Sequence, residues 1–193
     1  SNKRTFSSVS SGMLYTLEQS VLVVVDIQGN LAAAMQDREA LFANVIRLIK
    51  AAGHLRVPVI VTEQVPEKIG STVTEIASVF PPDTVRIPKK SFSCWGCPDF
   101  RERLKASLRR EVILCGIEAH VCISQTALDL LQANFRVGCV ADATSARTAD
   151  NKRLGLARME RAGAELLSTE MIITELVKTS AHPEFKSILQ LIK

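Results

Sequence analysis

Three residues capable of acid–base or nucleophilic chemistry each follow a short apolar run. Asp26 follows residues 21–25, Lys89 follows residues 85–87 with Pro88 between, and Cys122 lies a few residues beyond the run that starts at Glu111. Gathered in one cleft, a thiol, a carboxylate and an ammonium would be capable of acid–base or nucleophilic chemistry. Cys122 also opens a helical pattern. At such a position unpaired N–H groups and the positive end of the helix dipole are expected to favour the thiolate, lowering its pKa from about 8.5. Each residue alone has a plainer role. An Asp after a strand often caps a turn, a Lys at a strand end is usually a solvated charge, and an arbitrary Cys packs like a small apolar side chain. Cys115 and Cys139, inside apolar runs, fit that last role.

Cys94-Trp-Gly-Cys97 offers a different chemistry. A C-x-x-C pair before a helical pattern suits a thiol–disulfide protein, and two pairs or nearby histidines would suit zinc. Here there is one pair. His54, His120 and His182 lie in separate segments, so no metal site is expected. The pair is read as structural first, redox-sensitive next and redox-catalytic last.

The elements that must position these residues alternate in type. Strand-like runs occupy residues 21–25, 57–61, 85–87, 111–115, 137–140 and 165–167, several of them apolar throughout, as in strands buried on both faces. Between them, Leu41, Val45, Leu48, Ile49 and Ala52 make a helical stripe stopped by Gly53. Similar patterns precede Asn134 and Gly163, and residues 184–193 make a last amphipathic helix. The alternation implies an α/β fold: a doubly wound (Rossmann-like), mostly parallel sheet of about six strands with helices on both faces. Sites in such sheets form beyond the carboxyl ends of the strands, which is where Asp26, Lys89 and Cys122 fall. The chain of 193 residues suits one domain over residues 17–193, after a polar, flexible tail at 1–16.

Composition excludes several classes. The longest densely apolar run is far short of the ~20 residues that span a bilayer, and no signal peptide is visible. A net charge of +4, with basic groups mixed among acids and with one Trp and one Tyr, does not suggest a nucleic-acid groove. Five cysteines without an export signal read as reduced thiols. A cytoplasmic protein is expected, or a mitochondrial one in a eukaryote.

Several stretches together carry a family resemblance. Leu114-Cys-Gly-Ile-Glu-Ala-His-Val-Cys122-Ile-Ser-Gln-Thr126 resembles the nucleophile motif of the isochorismatase-like cysteine hydrolases. Asp26 in Val-Val-Asp-Ile-Gln28 matches that family's first-strand Asp, and Lys89 in Lys-Lys-Ser-Phe-Ser93 matches its Lys. Thr62-Glu-Gln64, Leu156-Ala-Arg-Met159, Leu167-Ser-Thr-Glu170 and His182-Pro-Glu-Phe-Lys186 are similar to the isochorismatase-domain-containing branch. The resemblance runs from about Leu17 to the C-terminus. It implies a triad of Asp26, Lys89 and Cys122 acting on a C–N bond of a small molecule through an acyl-enzyme, with no cofactor. Backbone N–H groups of Glu118 and Cys122 would form the oxyanion hole, next to a cis Ile117–Glu118 bond. Gln28, Glu63 and Phe92, beside the motif residues, would contact substrate. The resemblance also implies strand one beside strand four, and a dimer or larger homo-oligomer.

Two departures narrow it. Relatives that cleave isochorismate's vinyl ether generally lack the cysteine, and metal-bearing amidase relatives carry an Asp-x-His cluster where this chain reads Thr62-Glu-Gln-Val-Pro-Glu-Lys-Ile-Gly70. A catalytically silent interaction protein on the same fold and a redox protein using Cys94 and Cys97 stand as the alternatives.

Overall fold

The computed structural model describes residues 12–193. Among these, six strands form one sheet: β1 (Ser20–Val25), β2 (Val59–Gln64), β3 (Arg86–Lys89), β4 (Glu111–Ile117), β5 (Arg136–Ser145) and β6 (Glu165–Leu167). Their order is β3-β2-β1-β4-β5-β6, and every neighbouring pair is parallel. The connections carry α1 (Gly29–Ala33), α2 (Arg38–Leu55), α3 (Pro66–Ile69), α4 (Thr74–Ala77), α5 (Pro98–Ala106), α6 (Ser124–Gln132), α7 (Ala149–Ala162), α8 (Thr169–Val177) and α9 (Phe185–Ile192). The doubly wound α/β architecture expected from the alternating pattern is what the chain forms, with strand one beside strand four. Among the described residues no helix is long and apolar enough to cross a membrane.

Alternation along β1 shows why its run is apolar throughout. Val21, Val23 and Val25 pack with Phe100 and Leu104 of α5, Leu130 of α6 and Met159 of α7. Leu22 and Val24 pack with Leu41, Val45 and Ile49 of α2, Ile172 of α8 and Ile188 of α9. A strand covered on both faces has no polar side to show, so its sequence does not alternate.

Strand boundaries depart from the sequence reading at the carboxyl ends. β2 begins two residues later than the run 57–61 and continues through Thr62, Glu63 and Gln64; β3 includes Pro88 and Lys89; β5 continues to Ser145. Several residues of these extensions are polar yet buried, with Thr62 fully covered and Lys89 3% exposed. A polar residue in a strand end reads as a loop unless its partners are known. Pro88 is tolerated because β3 is an edge strand, where a missing N–H costs no ladder bond.

Residues 1–11 of the expected 1–16 tail lie outside the described residues. Tyr15 and Thr16 belong to the packed unit instead. Tyr15 is 2% exposed, and the Arg136 guanidinium lies 3.9 Å from its ring centroid. Thr16 donates to Glu111 Oε1 from its N–H at 3.0 Å and from its hydroxyl at 3.1 Å. Arg136 pairs with both Glu111 and Glu165 at 2.7 Å, which ties β4, β5 and β6 together at their amino ends. The packed unit therefore starts before residue 17, since an aromatic residue stacked on a paired guanidinium is not part of a loose tail.

All five cysteines are free thiols and all are buried. Burial pushes Cys139 up to about 11 and Cys115 higher still, the latter helped by its neighbour Cys139. In the unfolded chain a thiol ionises near about 8.5. Above that pH the unfolded state has lost protons that the native state keeps, so stability falls as pH rises. Urea titrations between pH 8 and pH 10 should show a steadily falling midpoint, with a shallower fall in a Cys115→Ala/Cys139→Ala variant. A flat or rising profile would contradict the burial of these thiols.

Candidate functional site

The carboxyl ends of β1 and β4 lie side by side where the strand order reverses, the position at which such sheets bind ligands. Val25 of β1 pairs in register with Gly116 of β4. A Cβ on Gly116 would sit 2.2 Å from the Val25 carbonyl oxygen, and its φ of 120° disfavours any L side chain. Glycine here lets β4 close against the end of β1. Asp26 then leaves the strand in left-handed backbone, φ 54°, with its N–H donating to the Thr62 carbonyl at 3.1 Å.

Past β4, the Ile117–Glu118 bond is cis, and residues Ala119–Ile123 form a π-helical turn that runs into α6. Cys122 thus stands in a π turn, not in the first turn of a regular α-helix. Gly155 of α7 presses on this turn: a Cβ there would meet the Ala119 carbonyl at 2.7 Å. The Glu118 carboxylate, turned the other way, accepts from the Arg147 N–H at 3.1 Å and from Arg147 Nε at 3.1 Å. That pair fastens the loop after β5 to the nucleophile turn.

Asp26, Lys89 and Cys122 converge. Lys89 Nζ lies 2.8 Å from Asp26 Oδ2 and 3.6 Å from Cys122 Sγ. Asp26 is 1% exposed, Lys89 3% and Cys122 7%. The Thr62 hydroxyl donates to Asp26 Oδ1 at 2.8 Å. Lys89 donates further to Gln64 Oε1 at 2.5 Å, the Phe92 carbonyl at 2.9 Å and the Ser91 carbonyl at 3.1 Å. An ammonium has three N–H groups, and four oxygens from Asp26, Gln64, Ser91 and Phe92 already surround this one. It is an internal cation with no donor left over for a ligand.

Charge states follow from these neighbours. Burial alone would depress the Lys89 ammonium, yet Asp26 and the nearby thiols hold it above the ordinary lysine value. Cys122 moves opposite to the expected direction. Loss of water pushes its thiol well up, and the Asp26 carboxylate pushes further, against the smaller downward pull of Lys89. Both effects favour the protonated thiol beside the Lys89–Asp26 pair, and the depressed pKa expected from a helix start is corrected accordingly. The dipole of one turn is worth about 0.3–1 kcal/mol when exposed, too little to overcome burial next to a carboxylate.

Of the residues expected to contact substrate, two are committed elsewhere. Gln28 is fully buried, with its amide bonded to the Gln64 N–H, the Gln64 carbonyl and the Gly70 carbonyl. Glu63 Oε2 accepts from the Thr72 N–H and hydroxyl at 2.5 and 2.7 Å, with Arg86 4.0 Å away. Alternation along β2 separates Glu63 from Thr62 and Gln64, which explains the different neighbours. Phe92 remains available, its ring half exposed on the loop whose carbonyl caps Lys89. Thr62 and Gln64 enter the sequence reading only as part of the family resemblance and with no role, although the rule that marks strand ends applies to β2 as it does to β1.

The two thiols of the C-x-x-C pair have different neighbours. Cys94 is fully buried, 3.8 Å from the Thr62 hydroxyl, with its N–H donating to Thr126 Oγ1 at 2.8 Å. Burial and the nearby Asp26 charge push it up to about 11. Cys97 precedes α5 and faces the Pro88 carbonyl at 3.8 Å. Among the described residues no group of three or more His, Cys, Asp or Glu is placed to hold a metal ion.

Comparison with known proteins gives a consistent picture. A family model described as Isochorismatase domain matches residues 20–171. The secreted isochorismatase effector Isc1 of Phytophthora sojae is 38% identical over 178 residues, which is 90% of this chain and 84% of the effector. Isochorismatase domain-containing protein 2A of Mus musculus is 36% identical over 178 residues, 91% of this chain and 84% of its own. The structure of MAR1 ribonuclease from Caenorhabditis elegans superposes with a TM-score of 0.88 at 37% identity, covering 93% of this chain and 92% of that one.

Replacing Lys89 with Met leaves the Asp26 carboxylate buried without its cation. Breaking one side of a buried pair costs about 3–5 kcal/mol, and urea denaturation should read a loss of that size. Adding Asp26→Asn to the same chain should recover a large part of it. A loss in the single variant below about 1 kcal/mol, the range of exposed pairs, would contradict the burial described here.

Proposed function

The chain belongs to the isochorismatase domain family, a hydrolase fold, and from that premise we propose that it cleaves a C–N (amide-type) bond of a small molecule with Cys122 as nucleophile. The observation that carries this reading is the meeting of Asp26, Lys89 and Cys122 within 2.8 and 3.6 Å of one another through the Lys89 ammonium. A thiol held protonated is not a standing nucleophile. It gains nucleophilicity at the moment of attack, by passing its proton to the adjacent Asp26 carboxylate while sulfur bonds to the substrate carbonyl carbon.

Lys89 stays positive throughout and offsets the negative charge that moves from Asp26 to sulfur and on to the carbonyl oxygen. Backbone N–H groups of Glu118 and Cys122 are the donors assigned to that oxygen. Protonated Asp26 then returns its proton to the leaving nitrogen, the C–N bond breaks, and a thioester remains on Cys122. Water attacks the thioester with Asp26 again as base. The thiol is regenerated and the acid is released. Phe92 is the side chain assigned to the substrate's apolar part. Five unpaired thiols fit work in a reducing compartment such as the cytoplasm.

A second reading, action on RNA, is favoured by the 37% identity to a ribonuclease. The two separate on substrate. A panel of small primary amides should release ammonia with the unmodified protein, and Cys122→Ala should reduce the rate at least about a thousandfold, the scale set by losing a covalent nucleophile. Cys94→Ala/Cys97→Ala should retain chemistry, since neither thiol forms the acyl bond. Cleavage of an RNA oligonucleotide that survives Cys122→Ala, with no amide turned over, would reject the amide hydrolase in favour of the second reading.

A further inference from the structure

The cation at the centre of the site is held by a brace that the hydrolase mechanism does not require. Gln28, at the start of α1, clamps the main chain of Gln64. Its Oε1 accepts from the Gln64 N–H at 2.6 Å, and its Nε2 donates to the Gln64 carbonyl at 3.0 Å and the Gly70 carbonyl at 2.7 Å. Gln64 passes the constraint on through its side chain. Its Nε2 donates to the Lys90 carbonyl at 2.7 Å and its Oε1 accepts from Lys89 Nζ at 2.5 Å. These partners allow one orientation of each amide, because a flipped Gln64 would aim N–H groups at an ammonium. Gln28 is 0% exposed and Gln64 8%, so water does not substitute for either.

From this geometry we propose that Gln64, oriented by Gln28, is a positioning residue that aims the Lys89 ammonium at the Cys122 sulfur. The inference rests on the thiol-nucleophile reading above and extends it to how the cation is steered. A neutral amide suits the task. A carboxylate at the same place would pair with Lys89 and draw its charge away from sulfur, whereas an apolar side chain would leave the ammonium to the Ser91 and Phe92 carbonyls and Asp26. The acceptor must also be rigid, since Lys89 sits on an edge strand only four residues long. The Gln28 clamp supplies that rigidity from β1's side of the sheet.

The test uses alkylation by iodoacetamide, followed at each cysteine by peptide mass spectrometry between pH 7 and pH 10, and it needs no substrate. In Gln64→Met the side chain keeps its length and loses its acceptor. Alkylation of Cys122 at pH 8 should slow by about tenfold, the effect of losing one hydrogen bond to a charged group, and the rising limb should move to higher pH. Cys139, fully buried on β5, labels only when the fold opens, so its rate should stay unchanged. A Cys122 profile that superimposes on the unmodified protein, or joint acceleration of Cys122 and Cys139, would overturn the proposal, because loosening speeds labelling while lost steering slows it. If Gln64→Met does not fold, Gln64→Glu retains volume and an acceptor. Its Cys122 should also slow, and an unchanged rate there would overturn the proposal too. An unmodified protein in which Cys122 labels no faster than the fully buried Cys139 at every pH would instead remove the nucleophile reading, and this inference with it.

Discussion

A lysine ammonium buried at the edge of a parallel sheet is the constraint around which this protein is arranged. At 2.8 Å the attraction between Lys89 and Asp26 amounts to about 6 kcal/mol at an effective dielectric of 20. Removing the two ions from water costs several kcal/mol each, so the pair alone does not cover its own desolvation. The remaining stabilisation comes from Gln64, Ser91 and Phe92 on the cation and from Thr62 on the carboxylate. Each contact requires a backbone segment in a fixed place, and this links the polar ends of β2 and β3 to the loop that follows them.

The sheet meets that requirement through close approach. Gly116 lets β4 touch the end of β1, and Gly155 lets α7 press on the π turn, which brings the turn holding Cys122 up to the ion pair. Because the thiol sits in a dry place beside a carboxylate, it rests protonated, and the same burial that silences it keeps water from competing with the charges. In the proposed reaction, reactivity is deferred until a carbonyl arrives to accept the sulfur's electrons. A site built this way differs from one that stores a thiolate at a helix start.

Much of this was legible in the sequence, for definite reasons. Continuous apolar runs such as residues 21–25 mark strands buried on both faces, and chemistry-bearing residues just beyond them mark the carboxyl edge; Asp26, Lys89 and Cys122 all follow that rule. The polar halves of β2, β3 and β5 were not legible, because Thr62, Gln64, Lys89 and Ser145 look like loop residues until their partners across the sheet are known. Gln28 and Glu63 were assigned to substrate for the converse reason. A buried amide or carboxylate next to a motif resembles a ligand contact until Gln64 and Thr72 are seen to occupy it. The protonation state of Cys122 depends on the distance to Asp26 and on burial, and neither is written in local sequence. Tyr15 fell outside the expected domain boundary because its partner, Arg136, lies 121 positions further along the chain.

The covalent step is the centre of the account, and it leaves a mass. Rapid acid quenching of the protein during turnover of an amide it hydrolyses, followed by intact and peptide mass spectrometry, would capture the intermediate. The account predicts an added acyl group on the peptide containing Cys122, formed before the acid product and lost with water as turnover completes. Sustained turnover with Cys122 unmodified at every quench time, or an acyl group carried by Cys94 or Cys97 instead, would contradict it.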